Sequence, residues 1–135
     1  EEVVVRNDLI ILRFDAQLFF GNIEFFKKLV LEAIEKNKGQ VKGFIINARA
    51  INYIDSTATE QLVEIIKKLQ KKDIRVMIVG AIGPARDLII KSKLIKVLGK
   101  ENLFITSGDA SDSFDGICKK TSLQKKLSRQ SNLNI

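Results

Sequence analysis

Short runs of β-branched and aromatic residues alternate along this chain with longer stretches whose apolar residues recur every three or four positions, and that alternation restricts the fold more than any other feature. Phe44-Ile45-Ile46 and Arg75 to Val79 are too short for helices and almost wholly apolar, as strands buried on both faces are. Between them, Ala58, Leu62, Ile65, Ile66 and Leu69 fall on one stripe of a 3.6-residue period, and Lys71-Lys72-Asp73 close that helix. Upstream, Phe26, Leu29, Val30, Ala33 and Ile34 make a similar stripe that begins at Ile23 and ends near Asn37-Lys38-Gly39, with Lys28, Glu32 and Lys36 stepping by four along another face. Downstream, Gly83-Pro84 opens a third helix with Ala85, Leu88 and Ile89 inward, and a short helical segment ends at Leu98-Gly99. Leu103-Phe104-Ile105 then reads as the last strand, and Ser107 caps a last helix carrying Ala110, Phe114, Ile117 and Cys118 on one side.

The start of the chain is patterned differently. Val3-Val4-Val5 and Leu9 to Phe14, joined by Arg6-Asn7-Asp8, predict an antiparallel hairpin. Leu18-Phe19-Phe20 is a further short extended piece, and Asn22 is placed to accept hydrogen bonds from the first-turn amides of the helix that follows. Together these elements predict an α/β domain: an N-terminal β-hairpin, then alternating β/α units with a mostly parallel central sheet flanked by helices. The aromatic group Phe19, Phe20, Phe25 and Phe26 is expected in the core, the alternative being an exposed patch for a partner.

With no histidine and a single cysteine, Cys118, in 135 residues, the chain excludes a Ser-His-Asp triad, a Cys-His pair and a Cys/His zinc site within itself. Cys118 continues an apolar stripe and reads as a small core residue. One thiol and no secretory leader pattern point to a reducing setting, and the absence of an initiator Met points to a piece of a longer protein. The apolar runs fall well short of the roughly 18 residues that crossing a bilayer requires. Of the formal net charge of +7, Lys119, Lys120, Lys125, Lys126 and Arg129 supply +5, so residues 1–116 carry +2. A near-neutral folded part argues against a nucleic-acid-binding domain. Residues 117–135 are expected to hold the end of the last helix and a basic, flexible tail, with anionic lipid as one partner it could meet.

Asp55-Ser56-Thr57 is the strongest local feature, three polar side chains where a strand end leads into a helix. Either Asp55 or Ser56 can serve as N-cap, and Thr57 and Glu60 have capping-box spacing. The bland reading is that these groups only satisfy the orphan amides of the helix start. The functional reading is that an exposed hydroxyl there suits a phosphate or another anion, although Asp55 beside it would repel one. Gly80 to Arg86 is a second strand-to-helix loop, but it matches neither GxGxxG nor GxxxxGK[ST], which leaves Arg86 as a weak anion contact. Asp109, Asp112 and Asp115 lack the spacing of a calcium loop, so neither metal nor cofactor is assigned.

Three phrases in order resemble the STAS domain, a module of sulfate transporters and of bacterial anti-sigma factor antagonists: Phe14-Asp15-Ala16-Gln17-Leu18-Phe19-Phe20-Gly21-Asn22, Ile54-Asp55-Ser56-Thr57-Ala58 and Leu98-Gly99-Lys100-Glu101-Asn102-Leu103-Phe104. The likeness spans nearly all of residues 3–116. The first phrase is similar to that of the sulfate permease (SulP) branch. It implies a non-catalytic regulatory and interaction domain on the cytoplasmic face of the membrane, joined to a transmembrane part and open to a cytosolic protein partner. The antagonist branch would instead place a kinase-controlled phosphate on Thr57, but Thr57 replaces the usual Ser and Ala58 the usual Gly. A third class, a nucleotide-binding module built on Gly80–Arg86, predicts saturable nucleotide binding.

Overall fold

The computed structural model describes residues 2–37 and 40–116. Ile117, Cys118 and the basic end of the chain lie outside the described residues, as do Lys38 and Gly39.

Five strands form one sheet in the order β1-β2-β3-β4-β5: β1 (Glu2–Val5), β2 (Leu9–Arg13), β3 (Gly43–Asn47), β4 (Arg75–Val79) and β5 (Leu103–Phe104). β1 runs antiparallel to β2 with Val4 opposite Ile11, and every later pairing is parallel. The hairpin and the β/α alternation therefore stand as the residue pattern predicts. Two expected strand ends fall short: β2 stops at Arg13, leaving the buried Phe14 beyond it, and β5 stops at Phe104, leaving Ile105 75% exposed.

The helices are α1 (Ile23–Lys36), α2 (Ser56–Lys71), α3 (Gly83–Lys91), α4 (Lys93–Leu98) and α5 (residues 107–116 within the described chain). Because side chains alternate along a strand, the sheet has two apolar faces. Ile10, Leu12, Phe44, Ile46, Val76 and Ile78 meet the buried stripes of α1 to α4. Leu9, Ile45, Met77 and Val79 pack on the other side with Ala110 and Phe114 of α5. One face is thus covered by four helices and the other, among the described residues, by α5.

Two arginines tie α5 down. Arg6, in the hairpin turn, donates from Nη1 and Nη2 to the two carboxylate oxygens of Asp115 at 2.9 and 2.6 Å, and its guanidinium lies 5.7 Å from the centre of the Phe114 ring. Those bonds, followed by the one to Asp8, hold the Arg6 pKa above its already high ordinary value. Arg75 reaches Ser113 Oγ and the Ser113 carbonyl, and donates from Nε to Asn102 Oδ1 at 2.7 Å. Asn102, the buried polar residue of the core, donates in turn to the Leu98 carbonyl, so both ends of its amide are satisfied.

Two caps differ from expectation. Asn22 sits at the N-cap of α1, but its side chain makes no bond to that helix; it turns back to accept from Phe19 N and donate to the Gln17 carbonyl. At α5 the accepting hydroxyl is that of Thr106, which takes a bond from Asp109 N, so Ser107 is the first residue of the helix and not its cap.

Candidate functional site

In a parallel sheet flanked by helices, the loops beyond the carboxyl ends of the strands converge, and ligands and partners meet such folds there. β2 runs out through Phe14 to Asn22, β3 through Ala48 to Asp55, and β4 through Gly80 to Ile82. The first two loops are stitched together: Leu18 forms an isolated parallel bridge with Ile54, its amide donating to the Tyr53 carbonyl and its own carbonyl accepting from the Asp55 amide, each at 3.0 Å.

Asp55 is the pin of this arrangement. It is the N-cap of α2, with Oδ1 accepting from Ala58 N at 2.7 Å, while Oδ2 accepts from Phe20 N at 2.9 Å. Its backbone carbonyl takes both the amide and the hydroxyl of Thr59. One carboxylate therefore caps a helix and fixes the aromatic loop beside it. Asp55 supplies the cap itself, so the Thr57–Glu60 spacing forms no capping box. Replacing Asp55 with alanine removes both bonds and is expected to cost about 1–2 kcal/mol. Asp55→Asn, whose amide carries one accepting oxygen, should fall between the two. Urea denaturation of the three proteins checks this ordering, and equal midpoints for all three would refute it.

Ser56 and Thr57 are exposed in the first turn of α2, and neither hydroxyl has a hydrogen-bond partner among the described residues. Beside them stand exposed aromatic rings: Phe20 at 74%, Tyr53 at 51% and Phe19 at 38%. Phe19 and Phe20 pack edge to face, and the Phe19 ring lies so close over Gly21 that a Cβ there would stand 2.5 Å from it. Only a glycine leaves room for that ring. The aromatic group is therefore split, with Phe26 in the core, Phe25 half exposed on α1, and Phe19 and Phe20 on the rim. Phe19 and Phe20 lie in a loop outside any period, which carries no sequence signal of facing, and Phe25 falls off the buried stripe of α1.

From Ser56 a groove of about 580 Å³ runs between α2 and the α3–α4 pair, past Thr59, Glu60 and Glu64 to Lys67 and Lys93. Arg86 lies in α3, outside that groove, and its side chain has no partner among the described residues. Gly80 (φ 75°) in the loop and Gly83 (φ 57°) at the first position of α3 turn the chain from β4 into that helix. The rim thus offers apolar rings, two free hydroxyls and a helix start. Such a surface can dock a partner or receive an anion. Among the described residues no group of three His, Cys, Asp or Glu side chains is arranged to hold a metal ion.

A hairpin-led, mostly parallel sheet of five strands with a capped helix start at its carboxyl end defines a small α/β domain of recognisable kind. The sequence model of the STAS domain matches residues 2–110, and the chain belongs to that family. It is 27% identical over 106 residues to a probable sulfate transporter of Mycobacterium tuberculosis, covering 78% of this chain and 19% of that protein. The crystal structure of a sulfate transporter family protein from Wolinella succinogenes is similar with a TM-score of 0.67 at 26% identity, covering 79% of this chain and 84% of the other. The unphosphorylated anti-sigma factor antagonist SpoIIAA aligns with a TM-score of 0.68 at 18% identity over 85% of this chain and 96% of its own, a likeness of fold alone. The chain spans less than a fifth of the length of the curated relatives it matches first, 17% to 19%. No helix among the described residues is long and apolar enough to cross a membrane.

Proposed function

We propose that this STAS domain is the non-catalytic regulatory and interaction module of a SulP-type anion transporter, held at the cytoplasmic face of the membrane by a transmembrane part of the same polypeptide. The observation that carries the reading is the Leu18–Asn22 loop. It bears the aromatic phrase of the transporter branch, and Asp55 locks it against the start of α2, so that the rings form a rim and not a core. Similarity to sulfate transporters of a plant and a bacterium supports it. The chain has no histidine, and among the described residues neither the Ser56 nor the Thr57 hydroxyl is hydrogen-bonded to a carboxylate that could act as its base, since both oxygens of Asp55 are engaged by the backbone amides of Ala58 and Phe20. Asp55, Ser56 and Thr57 are then the contact surface for the membrane part or for a cytosolic protein.

The reading frame upstream of Glu1 tests this directly. Several hydrophobic spans of about 20 residues are expected there, and a frame without any would overturn the assignment. The exposed Thr57 hydroxyl favours one second reading, a free-standing antagonist switched by phosphorylation. That reading requires a cognate kinase to add a phosphate that Thr57→Ala removes.

A further inference from the structure

The near-neutral total of residues 1–116 conceals a strong asymmetry. Residues 67–100 carry ten Lys or Arg and two Asp, a net charge of +8. The fold brings much of this charge onto the outside of the helix layer. Lys27 of α1 and Lys67, Lys68 and Lys71 of α2 line one shallow depression, Lys68 and Lys72 line the next, and Lys67 shares the groove at the other side of α2 with Lys93 of α4. The Gln70 side chain donates to the Val97 carbonyl, which fixes α4 alongside the carboxyl half of α2 and sets the exposed Lys96 in the same field. Glu60, Glu64 and Glu35 also line these depressions, yet among the described residues none of the lysines named has an acid within ion-pair distance.

We propose that this lysine face of α2 and α4 lies against anionic lipid headgroups. Its chemistry separates that occupant from an acidic protein. A protein interface has a core depleted of charge and anchored by aromatic rings, whereas every exposed aromatic ring of the described residues lies elsewhere, on the carboxyl-end loops or on Phe25 of α1. Lysines, unlike arginines, are flexible point charges without a bidentate fork, and they suit a diffuse negative surface. Each Lys near such a surface contributes attraction within a Debye length, so several acting together give salt-sensitive binding. The geometry leaves the other site open. Along α2, at 1.5 Å per residue, Lys71 stands roughly 22 Å from Ser56 and Lys67, at the far end of the groove that starts at Ser56, roughly 16 Å.

Such contact has a use only beside a membrane and in that sense rests on the transporter reading, but vesicles test it without any upstream segment. A failure here leaves the reading-frame experiment standing. The 135-residue chain should co-sediment with phosphatidylglycerol–phosphatidylcholine vesicles at low salt, not with pure phosphatidylcholine, and release as salt rises. The variant K67Q/K71Q/K93Q/K96Q should bind at least fivefold more weakly, and the arginine version of the same four positions should bind like the parent. A second variant, K119Q/K120Q/K125Q/K126Q, reads the contribution of the basic end separately. The proposal is overturned if the parent does not bind, if the first glutamine variant stays within fivefold of it, or if the chain binds poly-glutamate but not the vesicles.

Discussion

Replacing Phe26 with alanine is expected to remove about 3–5 kcal/mol of folding stability, a large share of the roughly 5–15 kcal/mol that holds a domain of this size together. The Phe26 ring is fully buried and meets Phe14 edge to face, with centroids 5.2 Å apart and planes at 81°. Truncation opens a cavity between α1 and the sheet and also breaks the ring pair, which alone contributes about 0.5–1.5 kcal/mol. Phe26→Leu fills most of the space and should lose much less. In urea, the alanine variant should unfold at a much lower midpoint with an unchanged slope. A loss below about 1 kcal/mol would show that the ring does not belong to the core.

Gly43→Ala should cost about 1–3 kcal/mol, although it adds a single methyl group. A Cβ at this position would stand 2.5 Å from Cε1 and 2.7 Å from Cδ1 of Phe114, and 2.9 Å from a Leu9 methyl. The strand is not the obstacle, since alanine fits its backbone. The obstacle is the Phe114 ring, which rests on Gly43 and carries α5 with it. The ring must swing away, loosening the contact beneath Arg6. Hydrogen exchange should therefore quicken in α5 before it does in α1 or α2. Combining Gly43→Ala with Phe114→Leu, which clears the ring, should cost less than the sum of the two changes. Strict additivity would mean that the close approach is not what makes glycine necessary.

Much of this architecture was legible in the residue pattern, and the reasons differ by element. α2 and β4 were readable because burial on a single stripe, or on both faces, leaves a period that turns cannot imitate: Ala58, Leu62, Ile65, Ile66 and Leu69 are all buried, as are Val76 to Val79. Asp55 was one of two named caps, and the choice between it and Ser56 needed the backbone, because either side chain can reach an amide two or three positions on. What escaped was long-range or non-periodic. Nothing in the sequence says that Asp55 also holds Phe20 N, 35 residues away, or that Arg75 reaches Ser113. Asn22 matched a cap by spacing, but its own loop offered nearer partners in Phe19 and Gln17. The lysine face was missed for an arithmetical reason. The acids of the hairpin and α5 cancel its charge in the sum, while the fold keeps those acids on other elements.

α2 links the aromatic rim at one end of the domain to the lysines at the other, and it is seated on apolar side chains from Ala58 to Leu69. A rod bedded along its whole length cannot twist or slide by a fraction of a turn without breaking close packing. On the proposed regulatory reading, an event at one tip would reach the opposite tip as a change in the orientation of the entire body, so that tilt would be its readout.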